Sequence, residues 1–334
     1  MFNKSSNIKR IIPLFVLWGF LYPLRSICQE KFLLQENEMP GFRLEDQYPW
    51  MWVVGEGNIF HPTINQKWSV IGKENEEIYI SYGEFKTISE CIQSIAYAAT
   101  KSYSVPYIWG SLTGFIVGDG SWVGMPDALF FIRGNVGIQI FKPGTSHETE
   151  KQMLISISEK ILNKIEANLS SEISAYEEAL KQKQISSNDY HIIVEPVFGL
   201  DIMKAYSLHS TWDSKWVIDS NRVAMGIRSE WKNEQGSIIG IDICKFDSIV
   251  EAQKACEQMN KILSFLNHIV DLDNLSSFKT IIAESRQYGL ERSISLVGSK
   301  DNFSLHLYLF DSTGIDTNLV FSLVEKITEG IGNF

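Results

Sequence analysis

The sequence predicts an α+β protein of two tandem related domains, each a twisted antiparallel sheet with its helices packed on one face. Three observations lead there. Apolar spacing switches between period two and period 3.6 in the order strand, helix, hairpin, helix over Ile78–Ile165, and the same order returns over Ile238–Ile331. Short local matches join the two passages at nearly constant offset. A chain of 334 residues is also long enough for two cores of ordinary size.

The composition is that of a globular protein, 44% apolar and 21% charged. Lys plus Arg number 30 against 40 Asp plus Glu. That balance repels phosphate backbones and anionic surfaces, so nucleic acid is not an expected partner. Lys4, Lys9 and Arg10 precede an uncharged run, Ile11–Leu24. As a helix the run would be about 21 Å long, short of a bilayer core of about 30 Å. A basic start, a short apolar core and small residues after it describe a secretory signal over residues 1–28, cleaved after Cys28 to leave Gln29. The product is expected in the periplasm or outside the cell, with no membrane span after signal removal. The alternatives are an uncleaved signal anchor and a lipidated Cys28. The latter fits a lipobox poorly, with Arg25 and Ile27 at its key positions. Cys91, Cys244 and Cys256 then remain, too few for a disulfide framework and without the C-x-x-C spacing of a thiolate zinc site. Cys244 and Cys256 could form one bridge; burial as small apolar side chains is the favoured reading.

Residues 29–40 read as a tether, 41–169 as the first domain, 170–187 as a connector helix and 188–334 as the second domain. Tyr48-Pro-Trp-Met-Trp-Val-Val opens an aromatic β segment, and Asn65–Val70 and Glu77–Glu84 follow as strands. Thr87 or Ser89 can cap a helix whose Ile88, Ile92, Ile95, Ala96 and Ala99 form an apolar stripe. Phe115–Val123 and Ala128–Phe141 are β, the latter turning at Gly134-Asn135, where Gly supplies the positive φ of a tight hairpin. A long helical pattern from Glu148 carries Leu154, Ile157, Ile161 and Ile165, then breaks near 170 where Ser170 or Ser171 with Glu172 can cap a new helix. In the second domain Tyr190–Val194, Trp216–Ile218, Arg222–Trp231, Ser237–Cys244, Lys279–Ser285, Arg292–Gly298 and Phe303–Phe310 read as strands. Leu200–Leu208 reads as helical or irregular, and Ile249–Phe265 and Asn318–Gly330 as helices.

The copies match at four places in chain order: Trp52-Val53-Val54 with Trp216-Val217-Ile218, Trp68 with Trp231, Phe85–Glu90 with Phe246–Glu251, and Glu159-Lys160-Ile161 with Glu325-Lys326-Ile327. Offsets that drift by a few residues are what loop insertions leave between two copies of one fold. Gly118-Asp119-Gly120-Ser121-Trp122-Val123-Gly124, followed by Leu129-Phe130-Phe131-Ile132-Arg133-Gly134-Asn135 and a closing helix, resembles a group of uncharacterised exported bacterial proteins with a signal peptide and two related halves. The resemblance implies fold and export, and no activity. Domain two lacks the G-D-G-S and R-G-N motifs and carries Arg286-Gln287-Tyr288-Gly289 and Gly298-Ser299-Lys300 in about their places.

Catalytic and cofactor motifs are absent from the sequence. Ser121 lacks the flanking glycines of a nucleophile elbow, and Asp311-Ser312-Thr313-Gly314 is one residue too long for an aspartic-protease triplet. No Rossmann or P-loop glycine pattern occurs, so no cofactor is expected. The six histidines form no H-x-x-x-H pair. His268, Asp271, Asp273 and Asn274 are close in sequence but lack the span and central Gly of a calcium loop, so no metal is expected. His306, between Leu305 and Leu307, reads as a structural residue on the other face of its strand. Trp52 and Trp68, having counterparts, read as core. Trp109 and Trp122 have none, and with Asp119 and Arg133 they are the candidate binding residues, for a protein or for a small molecule or glycan. The expected function is an exported envelope protein that binds or scaffolds. The alternatives are a hydrolase with a non-standard site near Gly118–Arg133 and a subunit of an envelope assembly.

Overall fold

The computed structural model describes residues 30–55, 59–73, 76–103, 120–123, 128–143, 148–169, 171–264, 278–283, 292–311 and 317–333. The expected signal segment, Trp109, Asp119 and the 268–274 loop lie outside them.

Domain one contains β1 (Phe42–Gly55), β2 (Ile59–Val70), β3 (Glu77–Glu84), α1 (Ile88–Tyr103), β4 (Gly120–Val123), β5 (Ala128–Arg133), β6 (Val136–Phe141) and α2 (Glu148–Asn168). After α3 (Ser171–Lys183) and α4 (Ser187–Val194) come two 3-10 turns, then β7 (Ser207–Asp219), β8 (Arg222–Lys232), β9 (Ile238–Lys245), α5 (Ile249–Ser264), β10 (Phe278–Ala283), β11 (Arg292–Lys300), β12 (Phe303–Asp311) and α6 (Thr317–Gly332). Each half is a six-stranded antiparallel sheet, ordered β1-β2-β3-β6-β5-β4 and β10-β11-β12-β9-β8-β7, which are the same order read from opposite edges.

The duplication extends to irregularities. Bulges interrupt β1 between Leu44 and Asp46 and between Val53 and Gly55, and β7 between Leu208 and Ser210 and between Val217 and Asp219. Thr87 caps α1 by accepting from Glu90 N at 3.0 Å, and Ser248 caps α5 by accepting from Glu251 N at 3.2 Å. In domain one Phe85 N donates to Asn135 O while Asn135 Nδ2 donates to Phe85 O; in domain two Phe246 and Asn302 repeat both bonds. The counterpart of Arg133-Gly134-Asn135 is therefore Lys300-Asp301-Asn302, not Gly298-Ser299-Lys300, and the hairpin belongs to both copies. Motif matching misses it because the left-handed turn position, φ +57° at Gly134 and +53° at Asp301, is filled by different residues.

The helices divide between the two faces of each sheet, which corrects the one-face expectation. In β5, Phe130 and Ile132 pack with α1 residues Cys91, Ile92 and Ile95, whereas Leu129 and Phe131 pack with α2 residues Leu154, Ile157 and Ile161. Alternate residues of a strand point to opposite faces, so a strand apolar at consecutive positions needs cover on both. Domain two repeats this, with α5 on one face and α4 with α6 on the other. Gly330 permits the last contact, because a Cβ there would lie 2.1 Å from Ile193 O. Trp52, Trp68, Trp216 and Trp231 are all core residues, as expected from their pairing. Cys91, Cys244 and Cys256 are buried, and Cys244 and Cys256 are not bridged to each other.

Two spans differ in type from the sequence reading. Tyr190–Val194 is helical in α4, capped by Ser186, whose Oγ accepts from Asp189 N. β7 is a 13-residue strand rather than three residues, its first half polar because it borders solvent at the sheet edge. Removing the Asn302 side chain by Asn302→Ala is expected to cost about 1 kcal/mol, as is Asn135→Ala. Urea unfolding of both variants would check that the two copies use the same bracket.

Candidate functional site

Of the expected site residues, Arg133 is the one whose side chain is described. It ends β5 at the joint between the domains, where Nε donates to Glu166 of α2 at 3.2 Å and Nη1 donates to both carboxylate oxygens of Glu177 on α3, at 3.0 and 2.9 Å. Glu177 also accepts from Lys215 Nζ of β7 at 2.8 Å, and the Lys215 side chain is only 3% exposed. One carboxylate thus ties a cation from each domain to the connector helix. Trp122 lies in edge strand β4, paired in register with Phe130. Neutralising the hub by Glu177→Gln removes the carboxylate charge that faces a buried lysine and is expected to cost about 3 kcal/mol. Lys215→Met in the same background should recover part of that loss in urea unfolding.

A polar cluster that the sequence reading did not assemble lies on the α5 face of domain two. The register places Arg228, Asp242 and His306 in one cross-strand row, with Glu230, Gly240, Tyr308 and Ser295 in the next. All are buried. Arg228 Nε and Nη2 donate to one oxygen of Asp242 at 3.1 and 2.6 Å, while Ser214 Oγ and Trp216 Nε1 donate to the other. Burial alone would lower the Arg228 pKa, but the adjacent Asp242 carboxylate holds it above its usual value. The Tyr308 hydroxyl donates to Glu230, and its ring lies over Gly240, where a Cβ would come within 1.9 Å of the ring. Burial, then the Glu230 charge, pushes the Tyr308 pKa well up. His306 is held neutral, its pKa well below the ordinary value through burial and then through the nearby Arg228 charge. Burial pushes the Cys256 thiol up to about 11 and the Cys244 thiol well above its usual range, so both are unreactive thiols. The signal was present in the sequence as titratable residues inside three apolar strands, Arg228 and Glu230, Asp242, and His306 with Tyr308. Only the strand order brings them together.

The equivalent rows of domain one are uncharged apart from the half-buried Lys67 and exposed Asp46. Tyr48, Asn65, Ser81 and Gln139 stand where domain two has Trp212, Arg228, Asp242 and His306. Trp50 and Thr63 stand where it has Ser214 and Gly226. Trp50 is 55% exposed and meets Tyr48 edge-on with ring centroids 6.3 Å apart. Beside them the Asn65 Oδ1 is buried, with no hydrogen-bond partner among the described residues. An exposed indole flanked by a second aromatic ring can hold a polar ring by stacking on its face. Among the described residues, no group of three or more His, Cys, Asp or Glu is placed to hold a metal ion, and no helix is long and apolar enough to cross a membrane.

Because folded His306 binds its proton below its ordinary pKa, the unfolded chain holds more protons between those two values. Its contribution to stability is therefore present above about pH 6.5 and is lost as pH falls, with a slope of up to about 1.4 kcal/mol per pH unit. His306→Gln should flatten the wild-type fall in stability below that pH, measured as urea midpoints across a pH series.

No family model matches the chain, and no curated protein matches it. Among solved structures it is similar to the extracellular domain of PknH from Mycobacterium tuberculosis, at 10% identity and a TM-score of 0.31, over 47% of this chain and 96% of that one.

Proposed function

We propose that the chain is an exported binding or scaffolding protein in which domain one carries the ligand face and domain two is its structural partner. The contrast between the two equivalent sheet faces carries this reading. Domain two fills its face with a closed network in which Asp242 accepts from three side chains and Tyr308 is bonded to Glu230. Domain one keeps the scaffold but offers the exposed Trp50 beside Tyr48. A ligand with an apolar ring face and hydroxyl donors, the chemistry of a sugar, fits that pairing. Trp122, in β4 of the same sheet, and Trp109 and Asp119, between α1 and β4 in sequence, remain candidate contributors, whereas Arg133 is engaged by Glu166 and Glu177 at the joint. Export is supported by Lys4, Lys9 and Arg10 before the uncharged Ile11–Leu24 run.

The test is titration of the purified protein against a panel of glycans, read by tryptophan fluorescence. Binding is expected, with Trp50→Ala weakening it about tenfold, or about 1.4 kcal/mol. No binding across the panel, or binding that Trp50→Ala leaves unchanged, would overturn the assignment to this face.

A further inference from the structure

Each domain projects the same arm. β3 pairs with β2 only over Ile64–Ser69, and β9 pairs with β8 only over Gly226–Lys232. The hairpins β1–β2 and β7–β8 therefore run on past their third strands, as far as the pairs Gly55–Ile59 and Asp219–Arg222. One flank of each arm lies on its own domain's helix, through Trp52 in domain one and Trp216 in domain two.

The other flank of the domain-two arm is occupied. Val217, Val223 and Met225 are buried in one cluster with Ile88, Ile92 and Ala96 of α1. Thr87 Oγ1 and Ser89 Oγ donate to the carbonyls of Ser220 and Asp219 at the arm's tip. This is a head-to-tail contact, in which domain two supplies an arm and domain one supplies a helix. Because the domains are copies, domain one also has an arm and domain two also has a helix, and this contact uses neither.

Those two surfaces are apolar and open. On the domain-one arm Phe60, the counterpart of Val223, is 55% exposed where Val223 is 4% exposed. Ile59 stands where domain two has Arg222, which pairs with Asp219 and Glu251, and it is 59% exposed. On α5, Ile249 and Val250 are 53% and 57% exposed, whereas their counterparts Ile88 and Ser89 are 5% and 1% exposed. Phe60, Ile249 and Val250, large apolar side chains in solvent at the positions that meet in the occupied copy of the contact, mark an interface rather than scattered surface apolarity.

We propose that the protein associates with a second copy of itself by repeating its own interdomain joint, the β1–β2 arm of one molecule lying across the first turn of α5 in the next. A heterologous contact of this kind closes into a ring or runs on as a filament, according to the rotation between the domains. The association is reversible, because the next turn of α5 carries exposed Gln253 and Glu257 where α1 carries buried Ile92 and Ala96. It therefore covers less apolar area than the joint within the chain.

Sedimentation velocity over a concentration series tests this. The wild-type protein should sediment faster as concentration rises. Phe60→Glu on the arm and Val250→Glu on the helix should each raise the dissociation constant at least about tenfold. A mixture of the two variants should recover association, since one keeps the helix and the other keeps the arm. Both residues are exposed, so unchanged thermal melts are expected; Phe60→Ser and Val250→Ser, with the same expected outcome, serve if a charge disturbs the fold. A monomer at every concentration, or association that either substitution leaves intact, would overturn the proposal, the second result by placing the contact elsewhere.

Discussion

A helix whose sides are apolar almost all round must be covered on more than one side, and α1 is such a helix. Cys91, Ile95 and Ala98 face their own sheet, while Ile88, Ile92 and Ala96 are also fully buried, in the cluster that includes the arm of domain two. The requirement to keep that second flank from water holds the two sheets together. The polar bonds around it, from Thr87 and Ser89 to the arm's tip and from Glu177 to Arg133 and Lys215, set the angle and register of the joint. They act at its rim, where a carboxylate shared between two cations is satisfied only in one geometry.

The two copies use one backbone for different ends. Bulges, caps and the Asn135 and Asn302 brackets are geometric necessities of the fold and are shared. Side chains in the cross-strand rows beyond the covering helix are free to diverge, since they decide only what lies on the face. Domain two places Arg228 on Asp242 and Tyr308 on Gly240, which turns the face into a rigid interior. Gly83 and Gly137 stand in domain one where domain two has Cys244 and Ser304, letting Trp52 and Ile95 press onto the backbone. The tryptophan that begins this packing has a counterpart in both copies, and its neighbour Trp50 is free to face outward.

Much of the fold was legible before the structure. Trp52 and Trp68 with their counterparts, the cap at Thr87 and the break between α2 and α3 all depend on residues close in sequence. The misses have the same physical origin. Tyr190-His-Ile-Ile-Val has β-prone composition, and becomes helical because Ser186 caps it and α6 offers it a surface. β7 is long because β8 offers it a partner over its full length, including the polar half that no local pattern marks. Lys300-Asp301-Asn302 was hidden because Gly and Asp meet the same positive φ by different means. Of the candidate binding residues, Arg133 is the one whose side chain is described, and Glu166 and Glu177 engage it at the joint.

The sequence by itself determined that there are two copies and which paired tryptophans form their cores. Periodicity, capping and turn chemistry are local properties and survive duplication. Only the tertiary structure decided which flank of each helix is covered, that Arg228, Asp242 and His306 form one row, and that Phe60 and Val250 are left in solvent. Those facts depend on strand order and on the packing of one domain against the other, which bring together residues far apart in the chain.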